Sequence, residues 1–289
     1  MLHMLPTELA LYIVKTAAHE YRFLDRQCVV NLAMCNHTVY NIVAPILYHT
    51  LLVSQNNVDL LSVFASSAET RALAQRMLSH VRSIHNRSSN QIPFNPRLLV
   101  NFEHVTASSS SFLSSWTPPK LRSVHLLNAN FSSTLRGLTP DVLRTITHVC
   151  GHLPARNSSW TTFFTDPAGW TRSLLERLPA VTHLGLTHYL PRARHYDASV
   201  ALFDCTVIET VVRAALEASS RIQCIAIRTC GLLSATRRMD LEVVLRDLHD
   251  LRIRAWFDMR PMKNWDDYRA LGFSDVKEGR NIWTEARPL

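Results

Sequence analysis

Ile222-Gln-Cys-Ile225-Ala-Ile227-Arg-Thr-Cys230-Gly-Leu232 carries apolar side chains at its first, fourth and sixth positions, then again at Cys230 and Leu232. Its alternating centre reads as a strand with one covered face. Two stretches keep the same phase: Leu121-Arg-Ser-Val124-His-Leu126 and Val181-Thr-His-Leu184-Gly-Leu186. Weaker copies start at Val81 with Ile84 and at Ile146 with Val149, and Ile253-Arg-Ala255-Trp-Phe257 alternates plainly. Strand starts at 81, 121, 146, 181, 222 and 251 lie about 25 to 41 residues apart. Helical spacing fills the intervals. Val207, Ile208, Val211, Val212, Ala215 and Leu216 make one stripe over Thr206–Ser219, behind a capping box of Thr206 and Glu209. Asp240 heads a run to Leu251, and Thr139-Pro140 and Asp166-Pro167 each open a helix.

Strand and helix thus alternate, and the fold class is α/β. The sixth position of each strand must point into a core shared with the following helix. A single unit leaves that face bare, so units stack. This pattern resembles the leucine-rich repeat in an irregular form, which implies a strand–helix solenoid. The competing arrangement is a compact βαβ domain with parallel strands. Residues 87–118, with the serine run Ser108–Ser111, read as an irregular surface stretch, and loops are expected at Pro154–Ser159 and Leu190–Ala198. Trp265–Leu271 and Asn281–Arg287 read as short helices, with Trp256, Trp265 and Trp283 closing the open end of the stack.

Upstream of the first strand the character changes. Pro6 and Thr7 open a helix with Leu9, Ile13 and Ala17 at i, i+4 and i+8, flanked by Tyr12 and Val14, and Glu8 suits its first turn. The polar His19–Arg22 interrupts it. A second run holds Cys28, Val29, Leu32, Ala33 and Tyr40, with a bend at His37 and Thr38. A third, Ile42 to Leu47, is broken by Pro45, and Leu51-Leu-Val53 reads as extended. Three short helices in so few residues bury too little area to stand alone, so they either cap the larger fold or dock onto a partner.

The string Leu5-Pro6-Thr7-Glu8-Leu9 with Ile13, then Cys28-Val-Val-Asn-Leu32-Ala-Met34-Cys35, Tyr40 and Pro45-Ile-Leu-Tyr48 resembles an F-box of the form common in fungal proteins. The resemblance implies a three-helix module, residues 1–53, that binds the Skp-type adaptor of an SCF ubiquitin ligase and through it a cullin scaffold. Carried over by position, Leu5, Pro6, Leu9 and Ile13 face the adaptor, and Leu32, Pro45, Leu47 and Tyr48 complete the contact or the small core. Residues 54–289 form the repeat-like domain. Its strand surface is the expected recognition face for a target protein, with Arg122, His125, Thr182, His183, Gln223 and Arg252 as candidate contacts.

The net charge of +8 sits wholly outside the first sixty residues, which hold three Lys/Arg against four Asp/Glu. No nucleic-acid motif accompanies it, and a solvated basic face or an acidic partner is expected rather than nucleic acid. With 47% hydrophobic and 19% charged residues the chain belongs with folded proteins. Its six cysteines form no C-x-x-C pair and read as buried, reduced thiols. No secretory signal opens the chain and no run reaches the roughly 18 apolar residues of a membrane span. A cytoplasmic or nuclear location follows, and the sequons at Asn36, Asn86, Asn130 and Asn157 are chance matches.

No catalytic constellation emerges. His148 and His152 have helical metal spacing but fall on a strand, where i and i+4 do not converge on one ion. Cys205 lacks a nucleophile signature, Asp266 and Asp267 point apart, and Ser158 and Ser159 lack a G-x-S-x-G turn. With seven glycines in all there is no P-loop or dinucleotide fingerprint. No cofactor or metal is expected. The function implied is a non-enzymatic, substrate-recruiting subunit for ubiquitin-dependent degradation. The alternatives are an interaction module without a ligase role and an α/β enzyme, which requires a deep pocket at the strand C-terminal ends.

Overall fold

The computed structural model describes residues 6–86, 95–107, 120–127, 135, 138–153, 165–189, 198–230, 235–258, 260, 270, 274–275 and 280–289. The protein is a mixed α/β chain built on one nine-stranded sheet whose strands lie side by side in chain order. The strands are β1 (Thr50–Val53), β2 (Ser83–Asn86), β3 (His104–Ala107), β4 (Ser123–Leu126), β5 (His148–His152), β6 (His183–Tyr189), β7 (Cys224–Cys230), β8 (Ile253–Asp258) and β9 (Arg287–Pro288). Among the described residues the first eight are parallel, and β9 runs antiparallel against β8.

The register explains the sequence pattern. The fourth position of every copy falls in one row across the sheet: Leu51, Ile84, Val105, Val124, Val149, Leu184, Ile225 and Ile253. Spacing within this row runs from 19 residues, Val105 to Val124, to 41, Leu184 to Ile225. Parallel neighbours need a crossover, and helices supply it where the interval allows. They are α4 (Val58–Ser66), α5 (Arg71–Leu78), α6 (Pro140–Leu143), α7 (Pro167–Arg177), α8 (Ala198–Ala218) and α9 (Ala235–Arg246). Leu78, Val142, Leu174, Leu175, Val211, Val212, Leu241 and Leu245 from these helices share one buried cluster with the row. Helices therefore cover one face of the sheet, and alternate strand residues stand on the other.

Several local expectations are corrected. β3 lies inside the stretch read as irregular, because Phe102, Val105 and Ala107 keep the 1-4-6 phase with an alanine at its end. The serine run and the stretches 154–159 and 190–197 lie outside the described residues. Helix α8 begins at Ala198, so Thr206 and Glu209 are interior: the Thr206 carbonyl accepts from Thr210 Oγ1 and Glu209 pairs with Arg213. Asp240 is likewise inside α9. Thr139-Pro140 and Asp166-Pro167 do open α6 and α7, with Asp166 Oδ1 accepting from Gly169 N at 2.8 Å. All six cysteines are unbridged, but Cys35 is exposed and Cys28 and Cys205 are half-buried.

Three helices precede β1: α1 (Thr7–Leu24), α2 (Arg26–Ala33) and α3 (His37–Leu47). Helix α1 continues through His19–Arg22, and α3 is one helix despite Pro45. The break lies at Met34–Asn36, not at His37 and Thr38. There the Asn36 side chain accepts from Val39 N at 2.9 Å and starts α3. Ala18, Val29, Ala33, Val39, Val43, Ile46 and Leu47 form a core of their own, apart from the cluster beneath the sheet. β1 follows directly and pairs with β2, so Thr50–Val53, assigned from sequence to the helical module, is the first strand of the sheet.

Candidate functional site

Helix α1 presents an apolar face to solvent. Leu9, Tyr12 and Ile13 are 44, 67 and 49% exposed and follow one another at i, i+3 and i+4, with Pro6 exposed one turn earlier. The helix turns Leu11, Val14 and Ala18 toward the small core instead. Of the other positions expected to touch an adaptor, Pro45 is exposed on α3, Leu32 and Tyr48 are half-buried against the core, and Leu47 is sealed inside it. Leu5 lies outside the described residues. The structure thus sets Pro6, Leu9, Tyr12 and Ile13 on one exposed side of α1 and Leu47 in the small core, one of the two places expected for it.

The second surface is the sheet face opposite the described crossover helices. Its first row reads Thr50, Ser83, His104, Ser123, His148, His183 and Cys224, and its next reads Leu52, His85, Thr106, His125, Cys150, Gly185, Ala226 and Arg254. The C-terminal segment folds across the β5–β8 half. Ile282 and Ala286 pack on Cys150, Cys224 and Ala226. Trp283 stands edge-on to the stacked rings of His148 and His183, whose centroids are 4.1 Å apart. A side chain at Gly185 would meet both neighbours: its Cβ would lie 2.8 Å from Cys150 Sγ and 3.1 Å from Trp283 Cη2. Trp283 thus covers the middle of the face rather than the end of the stack. Trp265 lies outside the described residues.

A buried ion network pins this segment. Arg228 Nη2 donates to Asp258 Oδ2 and Asp275 Oδ2, both at 2.6 Å. Arg260 Nη2 donates to Asp258 Oδ2 and Asp275 Oδ1, also at 2.6 Å, and Arg280 Nη2 reaches Asp275 Oδ1 at 3.1 Å. Arg228 also lies over the Trp256 ring, 3.9 Å from its centroid. Burial works to raise the Asp258 carboxyl, but the Arg260 hydrogen bond and the Arg228 charge outweigh it and hold it low.

Where the C-terminal segment stops, the same face opens into a pocket of about 370 Å³ over the first three residues of β1 to β5. It lies toward the strand N-terminal ends, and the stretches that follow most strand C-terminal ends lie outside the described residues. His49, His85, His104, His125 and His148 line it, with Arg22 on the α1 side and Arg228, Asp275, Arg280 and Trp283 opposite. Burial, reinforced by His125, pushes the His85 ring down to about 3. Burial and then Arg228 lower His125 to about 4, and burial and then His183 lower His148 to about 4. His85, His125 and His148 are therefore neutral near pH 7, and arginines supply positive charge. Burial pushes the Cys150 thiol up to about 12, so it supplies no thiolate. Among the described residues no group of three or more His, Cys, Asp or Glu could hold a metal ion, and no helix is long and apolar enough to cross a membrane.

The candidate target contacts divide. His125 lines the pocket and His183 lies beneath Trp283. Arg122, Thr182, Gln223 and Arg252 sit just before their strands, on a rim where Arg122 N donates to Glu103 O, Thr182 N to Thr147 O and Gln223 N to Thr182 O. Arg252 is held there by Asp250. Sequence reasoning missed His49, His85, His104 and the Arg228 network, and it weighed His148 only as a metal ligand. A signal existed for three of these: His85, His104 and His148 occupy positions 3 or 5 of the 1-4-6 pattern, which flank the buried fourth position and must face the other way. Comparison with protein-family models, curated proteins and solved structures returns no match to this chain.

Proposed function

We propose that this chain is a substrate-recruiting subunit of an SCF-type ubiquitin ligase. It binds a Skp-type adaptor through α1 and presents a target to the ligase through the rest of the molecule. The observation that carries the reading is that α1 to α3 complete a core of their own and still leave Leu9, Tyr12 and Ile13 in water. Such apolar anchors have their use on a partner, where the best of them contributes about 2 kcal/mol or more. Eight parallel strands in strict chain order support an irregular leucine-rich-repeat-like solenoid, in which each unit is covered by the next. The chain performs no chemistry in this reading: it raises the local concentration of target lysines beside the ubiquitin carrier.

The test is co-purification of the full chain with a Skp-type adaptor, compared with a Leu9→Ala, Tyr12→Ala, Ile13→Ala variant. All three side chains are exposed, so the variant keeps its fold. Loss of the complex is expected. A wild-type chain that recovers no adaptor, or a variant that binds as well as wild type, refutes the assignment.

A further inference from the structure

The pocket on the open sheet face has the features of a binding site that docking of α1 does not use. Its floor is polar and starved of partners. His85 is 9% exposed; its Nε2 meets Ser83 Oγ at 3.1 Å, while Nδ1 is buried without a hydrogen-bond partner. On the neighbouring side of the pocket, His125 Nε2 is buried and unpartnered as well. Both rings line the one cavity, and a buried polar atom without a partner costs free energy, so a turn of either ring that brings its nitrogen to a ligand there is favoured.

The charges select an anion. Among the described residues Asp275 is the one carboxylate that lines the pocket, and Arg228, Arg260 and Arg280 all bind it. With Asp258 the network sets three guanidiniums against two carboxylates, and Arg22 adds a further positive charge from α1. Among the described residues the remaining titratable groups facing His85 and His125 are His49 before β1, His104 on β3, His148 on β5 and the neutral thiol of Cys150. Polar side chains thus converge from α1, from the sheet floor and from the C-terminal segment. A planar carboxylate answers two directions, whereas a tetrahedral phosphate offers three acceptor oxygens and up to two charges. The volume, about 370 Å³, falls in the range of small-molecule sites, and Trp283 and Ile282 give it an apolar wall. We propose that this pocket binds a small organic phosphate, with its phosphate against His85, His125 and the arginines and its organic part against Trp283.

His85 and His125 are neutral near pH 7, whereas a phosphate monoester gains its second negative charge at about pH 6, so binding is expected to tighten as pH rises from about 6 to about 8. The probes are phenyl phosphate, inorganic phosphate and succinate, titrated calorimetrically into the full chain at pH about 6 and about 8. Phenyl phosphate is expected to saturate one site, at least about tenfold more tightly than the other two, and more tightly at the higher pH. The His85→Gln, His125→Gln double variant is expected to lose that binding. Should it fail to fold, imidazole proton resonances of the wild-type chain provide the second readout, and those of His85 and His125 are expected to shift on titration. Absence of saturation, equal binding of succinate or inorganic phosphate, undiminished binding by the folded double variant, or unmoved resonances would each overturn the proposal. None of these results depends on whether a Skp-type adaptor binds α1.

Discussion

Arg228 is 3% exposed, and its guanidinium is committed to two carboxylates and an indole face. Removing one member of such a buried set leaves charges without compensation, at a cost of about 3–5 kcal/mol. Arg228→Ala is expected to lower the unfolding free energy by that amount in urea titration. It is also expected to shift tryptophan emission as Trp256 and Trp283 gain solvent. The histidines set a pH dependence whose sign follows from burial. Their folded-state values lie below the ordinary 6.5, at about 3 for His85 and about 4 for His125. Between those values and 6.5 the unfolded chain binds protons that the folded chain refuses. Stability is therefore full above about pH 6.5 and declines on acidification toward pH 4, a slope that thermal unfolding across this range measures. At this scale the sequence was half readable. The alternation that exposes Ile225 to the helices dictates that His85 and His125 face away from them. The Arg228–Asp275 pair spans 47 residues and leaves no local trace.

Strands were legible wherever positions 1, 4 and 6 all carried large apolar side chains, as in β4, β6 and β7. β3 escaped because Ala107 fills the sixth position, although the register gives it the same role as Leu126. Helix ends were less legible. Thr206 and Glu209 have capping-box spacing, yet α8 runs past them, because a chain already helical from Ala198 has no free amides there to cap. Asn36 is the converse case. No apolar pattern marks it, but its side chain holds Val39 N and divides α2 from α3. Asn36→Ala is expected to cost about 1 kcal/mol, read as a lower melting temperature. Because α3 supplies Val39, Val43, Ile46 and Leu47 to the small core, the same variant should also weaken adaptor capture more than its surface position implies. Tyr12 was visible as a flanking residue, and only the turn of α1 toward Val14 and Ala18 puts it outside.

Across the molecule, neighbours in sequence are neighbours in the sheet from β1 to β8. Most contacts between strands are consequently made with the next unit alone, while the C-terminal segment ties Asp275 and Trp283 back onto β5 to β8. Such a molecule should come apart under tension as a row of stitches does. Held by its two ends in an optical trap, the chain is expected to yield first where Trp283 and Asp275 clasp the sheet, in one large rip. Smaller steps should then follow, each paying out the length between adjacent strands, and their unequal sizes would mirror intervals as short as 19 residues and as long as 41. A pull by a processive unfoldase from the C-terminal side would meet β9 and then that clasp, so resistance to mechanical extraction would begin with Trp283 and Asp275 rather than with the sheet as a whole.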